Sequence, residues 1–291
     1  MKAPPFAYQR AESLERACAL LAQHGSSARI LAGGQSLIPT LNLRLSQPDL
    51  LIDISQIAGM RGIRVDGNEM VLGALTRHAD IEHSASVKQH FPALAEAAAQ
   101  IAHPAIRNRG TIGGSIALAD PAAEWPAAAL AFDMSITLAS SRGERKVRAD
   151  GFFTALFETG MAADEVLKSI QIPLPAAGAC TSFGELTRRS GDYAIAGAFV
   201  NACKTGGKLS ATRIAYFGVS TRPVLARGAM AALDGSSGDA AASAAAQACL
   251  EKDLSVIADL YNSPATKLHL SRVLLGRLLN KLLAPSAAQA A

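Results

Sequence analysis

Along the first third of the chain the apolar positions change period. In SLERACALLAQHG, Leu14, Ala17, Cys18 and Leu21 recur at i, i+3, i+4 and i+7, the spacing of one helical face, with Ser13 placed to cap the start and Gly25 the end. The short aliphatic runs of ARILAGG and LLIDIS then predict two strands separated by a polar segment, so the opening reads as alternating α and β. IRV and MVLGAL flank DGNE, a hairpin in which Asp66-Gly67 offers the positive φ angles of a tight turn. Residues 79–101 predict helix on both sides of Pro92. From His103 to Pro126 the pattern stops; Gly, Pro, Asn and Asp there predict a long loop held inside a compact domain, a feature that usually serves a function.

The second half returns to period two. SITLAS and RKVRA predict a hairpin around Arg142-Gly143, and EVLKSIQIPLP a strand ended by Pro173 and Pro175, with AAGAC after it marking a domain boundary. DYAIAGAFVNAC and LSATRIAYFGVS, joined by KTGGK, predict an antiparallel pair, and the remainder is alanine-rich helix.

Composition narrows the function classes. A hydrophobic fraction of 49% over 291 residues supports a large buried core. The net charge of +4 comes from 28 basic and 24 acidic residues mixed along the chain, with no basic block and no interleaved aromatics, which argues against nucleic-acid binding. Cys18, Cys180, Cys203 and Cys249 are scattered, without zinc-ligand spacing, a disulfide framework or a pattern able to hold an iron-sulfur cluster. The histidines form no hydrolytic triad. Arg10 and Glu12 interrupt the N-terminal segment before any signal-like apolar run, and no stretch approaches the ~20 apolar residues of a membrane span, so a cytoplasmic protein is expected.

Two glycine pairs carry the candidate chemistry, LAGGQSL at 31–37 and GTIGGSIA at 110–117. A diphosphate needs several N–H donors at once, and consecutive glycines let the backbone come close in conformations that Cβ-bearing residues avoid. Ser36, Thr111 and Ser115 would add hydroxyl groups. Two amide cradles facing one extended phosphate-bearing ligand are therefore expected, although a single such pair more often serves a turn or bulge. Neither is a GxGxxG fingerprint or a P-loop, which disfavours a Rossmann fold.

ILAGGQSLIPTLNLRLSQPDLLIDIS and IRNRGTIGGSIALADPAAEWP, with the later RRSGDYAIAGAF, resemble over the whole chain the medium, FAD-carrying subunits of molybdenum hydroxylases, the family of xanthine dehydrogenase and aerobic CO dehydrogenase. The resemblance implies an α+β fold: a two-part FAD-binding domain of the type shared with vanillyl-alcohol oxidase over 1–176, with parts near 1–57 and 58–176, then a C-terminal α+β domain over 177–291. It implies that Ala32, Gly33, Gly34, Gln35, Ser36 and Leu37 lie along the FAD diphosphate, and that Thr111, Ile112, Gly113, Gly114 and Ser115 close over it from the other side. By the same resemblance the stretch Ile101 to Ile106, with Ala102, lines the cofactor's path, and Glu124 accepts from ribityl or ribose hydroxyls. Leu167 would touch the ring system, and Tyr193 would stack on one face of the isoalloxazine as the residue closest to the redox chemistry. One departure stands out: where many relatives carry a lysine near the ring, this chain has Gly184 and Glu185.

The implied activity is that of an oxidoreductase subunit. Electrons from a molybdenum-pterin cofactor on a large partner would pass through 2Fe-2S clusters on a small partner to this FAD and on to an external acceptor, in a heterotrimer that pairs into a dimer of heterotrimers. Its substrate would be an N-heteroaromatic compound, CO or an aldehyde, and RNRGTIGGS leans toward the first. A stand-alone flavin oxidase or reductase is the alternative, with a substrate pocket near residues 181–217 for which only Arg188, Arg189, Asp192 and Tyr193 are available.

Overall fold

The computed structural model describes residues 2–284. The expected FAD-domain and C-terminal-domain limits at Met1 and at 285–291 lie outside the described residues. Strand β1 (Ala7–Arg10) leads into helix α1 (Leu14–His24), capped as expected by Ser13, whose side chain accepts from the Arg16 amide. Strands β2 (Ala28–Leu31) and β3 (Leu50–Asp53) follow, and β3 pairs in parallel with both β1 and β2. Helix α2 (Leu37–Asn42) crosses between β2 and β3. The glycine segment 32–36 thus leaves the carboxyl end of a parallel strand, the place where open α/β sheets present ligand sites.

The next layer is antiparallel. The hairpin of β4 (Ile63–Asp66) and β5 (Glu69–Gly73) turns where expected, but only Gly67 takes the positive φ, at 57°. Helices α3 (His78–His83), α4 (Ala85–His90) and α5 (Pro92–Gln100) fill 78–100, with Pro92 opening the third and Ser84 separating the first two. The expected long loop over 103–126 is corrected: it contains helices α6 (Pro104–Arg107) and α7 (Ile112–Leu118) and the first turn of α8 (Glu124–Ala131). Caps and tertiary hydrogen bonds, not periodicity, hold these short helices. Helix α8 is apolar on all sides, and Trp125 to Ala131 are all buried.

Strands β6 (Ser135–Ser140) and β7 (Gly143–Arg148) form the second hairpin, a short ribbon joins Phe153–Ala155 to Glu158–Thr159, and Val166–Pro173 enters between β5 and β6 to complete a five-stranded sheet. A four-stranded antiparallel sheet follows, built from Ala179–Leu186, Ala196–Thr205, Lys208–Phe217 and Val224–Leu225. Its central hairpin turns at Gly206-Gly207, both at positive φ (58° and 78°), as two-residue hairpin turns require. Three helices end the described chain, Arg227–Leu233, Ala240–Asp253 and Pro264–Leu283.

Alternation along the last sheet explains how it joins the rest. Phe183, Phe199 and Phe217 share one face and belong to the same hydrophobic cluster as Trp125, Phe132 and Ile170. Phe199 meets Phe132 edge-on with ring centroids 6.0 Å apart and Phe183 at 4.7 Å. The opposite face, with Val200, Ile214 and Tyr216, packs under Leu274, Leu275 and Leu278 of the C-terminal helix. The sheet is therefore buried on both sides, and its aromatic face ties it to the layer that carries helices α7 and α8.

Candidate functional site

One cleft of about 640 Å³ collects residues from every part of the chain where the glycine motifs and their flanks lie. Ala32, Gly33, Gly34, Gln35, Ser36 and Leu37 form one wall; Thr111, Gly113, Gly114 and Ser115 form another; Ile101, Ala102, Ile106, Glu124, Leu167 and Tyr193 complete it. Ile112 is the exception among the residues expected to touch the ligand. It is fully buried in the core, because position N1 of helix α7 turns that side chain inward. Leu167, on the strand Val166–Pro173, is 5% exposed and reaches the cleft only with its edge.

The two glycine segments touch. A Cβ on Gly33 would lie 2.3 Å from the Arg109 carbonyl oxygen and 2.9 Å from the Gly110 Cα, so only glycine lets the first segment pack on the backbone that precedes the second. Gly34, at φ 73°, reverses the chain. Gln35 Nε2–H donates to the Gly33 carbonyl at 2.9 Å and closes the bend on itself. Among the described residues, the backbone N–H groups of Gly33, Gly34, Gln35, Ser36 and Leu37 donate to no protein atom. Consecutive open amides on such a bend form an anion-binding concavity, the condition set by the chemistry of a diphosphate.

The second segment differs from expectation. Its amides are already engaged: Ile112 N–H donates to Thr76 O at 3.0 Å, Gly113 N–H to Ala74 O at 2.9 Å, Gly114 N–H to Thr111 Oγ1 at 3.1 Å and Ser115 N–H to Thr111 O at 3.1 Å. A Cβ at Gly113 would sit 2.5 Å from that of Ala74, so this glycine serves close packing against β5's continuation and not ligand approach. Of the two segments, the first therefore presents the open amides, and the second an opposing wall in which Gly114 is exposed and Thr111 and Ser115 supply hydroxyls.

The remaining walls are held from behind. Arg107 Nε–H donates to Glu82 at 2.7 Å, and its Nη1 donates to the carbonyls of Ile101 and Ala102 at 3.2 Å each. Arg107 thus shapes the cleft by fixing the backbone at Ala102, where φ is 42°, and its charge is spent on Glu82 instead of on a ligand. Both side chains are largely buried, so Arg107→Met leaves Glu82 unpaired and two carbonyls without donors. We expect a loss of about 3 kcal/mol, read as a lower urea midpoint.

The acids at and behind this side of the cleft ionise less readily than free carboxylates. Burial, then the neighbouring Glu185 and Asp120 carboxylates, pushes Glu124 up to about 8. Burial likewise raises Glu185 to about 7 and lifts Asp120, although Asp120 accepts the Ala122 amide at 2.9 Å. Ionised carboxylates would repel a diphosphate-bearing ligand; a protonated Glu124 can instead donate or accept. Gly184 faces Leu274 and Leu278, and Glu185, next along the strand, has one Oε2 enclosed without a partner and does not itself line the cleft. Tyr193 stands at the rim, 68% exposed, beside Gly191 and Asp192. His78 and Asp120 line the cleft without a sequence signal of their own: each gains its place from residues distant in the chain.

Five open amides, an opposed hydroxyl-bearing wall and an elongated cleft fit a dinucleotide with a central diphosphate. Comparison with known proteins gives the class: residues 4–175 match the family described as the FAD binding domain in molybdopterin dehydrogenase, and residues 181–282 match the CO dehydrogenase flavoprotein C-terminal domain. The chain belongs to this family of molybdenum-enzyme flavoprotein subunits and carries its FAD-binding domain. It is 46% identical over 219 residues to the 6-hydroxypseudooxynicotine dehydrogenase complex subunit alpha of Paenarthrobacter nicotinovorans, covering 75% of this chain and 74% of that one. It is 38% identical over 263 residues to the nicotine 6-hydroxylase medium subunit of the same organism, covering 90% and 92%. Among solved structures, carbon monoxide dehydrogenase from Hydrogenophaga pseudoflava, in a form lacking the molybdenum-pyranopterin moiety, superposes with a TM-score of 0.95 at 40% identity over 98% of this chain and 99% of that one. These relatives are oxidoreductases, as the resemblance implied. No described helix is long and apolar enough to cross a membrane, and no described cluster of His, Cys, Asp or Glu could hold a metal ion.

Proposed function

We propose that this chain is the electron-transfer subunit of a multi-subunit molybdenum hydroxylase, in which a large partner oxidises the substrate at molybdenum and a small partner relays electrons through 2Fe-2S clusters to the FAD held here. The five open amides of Gly33 to Leu37, packed through Gly33 onto the backbone of the second segment, carry the reading. FAD, when bound, supplies the capacity to take up electrons one at a time and release them in pairs to an external acceptor. The chain's own residues do the rest. The 33–37 amides hold the diphosphate; Gly114, with Thr111 and Ser115, closes over it; Glu124 meets a ribityl or ribose hydroxyl; Ile101, Ala102, Ile106 and Leu167 exclude water along its length. Tyr193, exposed at the rim, stacks on the ring and controls access to it in this reading.

An N-heteroaromatic substrate for the assembled enzyme accords with the nicotine-oxidising relatives, and we place the complex in the cytoplasm as a dimer of heterotrimers. The test is to purify the native complex and the chain alone. The complex is expected to contain three subunit types, molybdenum and iron; the single chain is expected to bind FAD and oxidise no organic substrate. Substrate turnover by the single chain would establish the stand-alone flavin oxidase instead.

A further inference from the structure

His78 opens helix α3 and is 5% exposed, yet it lines the cleft. Trp125 Nε1–H donates to His78 Nδ1 at 3.0 Å, with the two rings near-parallel and 6.0 Å apart. An indole N–H can only donate, so the imidazole nitrogen it meets carries no proton. The neutral ring therefore holds its proton on Nε2. That tautomer is locked: Trp125 is 1% exposed within helix α8, and the His78 backbone N–H is tied to Gly110 O at 3.1 Å.

Nε2–H has no acceptor among the described protein atoms. Two side-chain atoms of the described residues are enclosed without a partner, Glu185 Oε2 and Thr212 Oγ1, and His78 Nε2 is not one of them, so it opens to the cleft. Its place there is defined by Gly110, whose Cβ, if present, would lie 2.7 Å from Nε2. Gly33 packs on Arg109 and on the Cα of Gly110, which sets Nε2 near the junction of the two glycine segments. The charge that bears on the ring is that of Arg107, itself paired with Glu82. Burial and that cation hold His78 down to about 4, so at neutral pH the ring is uncharged.

We propose that His78 is a cofactor-binding residue whose Nε2–H, fixed in direction by Trp125, donates to an acceptor oxygen in the central, phosphate-bearing part of the dinucleotide. This rests on the cleft's reading as the FAD site. A single hydrogen bond from a fixed donor to a charged acceptor accounts for an effect of about 10- to 100-fold in affinity.

The experiment uses the full chain stripped of flavin and titrated with FAD. His78→Phe keeps the ring volume and removes the donor; it is expected to weaken FAD binding about 10- to 100-fold. Affinity equal to that of the unmodified chain overturns the proposal. Should the variant fail to fold, the unmodified chain labelled with nitrogen-15 at histidine decides: the His78 Nε2 resonance is expected to shift on adding FAD, and an unmoved resonance at saturation overturns the proposal. Failure of the unmodified chain to bind FAD at all would instead overturn the reading of the cleft on which the proposal rests.

Discussion

Gly33→Ala is expected to empty the flavin site. The added methyl would meet the Arg109 carbonyl oxygen at 2.3 Å and its carbon at 2.9 Å, both backbone atoms in a segment held by Gly110 N–H to Ile106 O and by the α3 clip. The restraint from α3 is the His78 N–H bond to Gly110 O at 3.1 Å; neither side can yield cheaply, so the first segment must lift off the second. Overpacking of this kind costs about 3 kcal/mol, and parting the two walls spoils the cradle as well. We expect flavin content to fall at least about tenfold and the melting midpoint to drop by several degrees, checked by absorbance and calorimetry. Gly114→Val separates the two causes. A Cβ there meets only Thr111 Oγ1, at 2.9 Å, and the exposed surface beyond it is cleft. That variant is expected to lose FAD with a stability loss of about 1 kcal/mol from the disturbed Thr111 cap, well below that of Gly33→Ala. Full flavin occupancy in both variants would contradict the opposed-wall arrangement.

Glu124→Gln is expected to change how stability depends on pH. An acid whose folded value rises to about 8 from an ordinary 4.5 keeps its proton in the fold after the unfolded chain has released it. Between those values the unfolded state binds fewer protons, so stability falls as pH rises, is least penalised below about 4.5 and levels off above about 8. Glutamine is neutral throughout and removes this term. The variant should therefore gain about 5 kcal/mol relative to the unmodified chain at pH above 8 and none below 4.5, measured by urea unfolding across the range. Glu185, raised to about 7, leaves a smaller slope of the same sign in the variant. A parallel pair of pH curves would mean that Glu124 ionises as freely in the fold as in the unfolded chain.

Local signals were the legible ones. Ser13 and Gly25 bounded the first helix because caps act within a turn, and Gly206-Gly207 bounded a hairpin because φ is a property of the residue itself. The 103–126 segment was opaque for the opposite reason. Thr111 caps a seven-residue helix whose first amides bond to Thr76 and Ala74, and nothing in a Gly- and Pro-rich stretch announces bonds made to residues some 35 positions earlier. The same contacts explain why the second glycine pair misled. GG suggested free amides at both segments, yet Gly113 is glycine to fit against Ala74, while Gly33 is glycine to fit against Arg109. Spacing alone does not distinguish a glycine that admits a ligand from one that admits a neighbouring strand. His78 was missed because its tautomer is set by Trp125, 47 residues away.

Amide hydrogen exchange with and without FAD tests the account most directly. The N–H groups of Gly33 to Leu37 have no protein acceptor and should exchange fast in the flavin-free chain, then slow markedly when FAD is bound; those of Ile112 to Ser115, already bonded within the protein, should be protected in both states. Protection gained at 112–115 while 33–37 stay fast would place the diphosphate on the wrong wall and contradict the account.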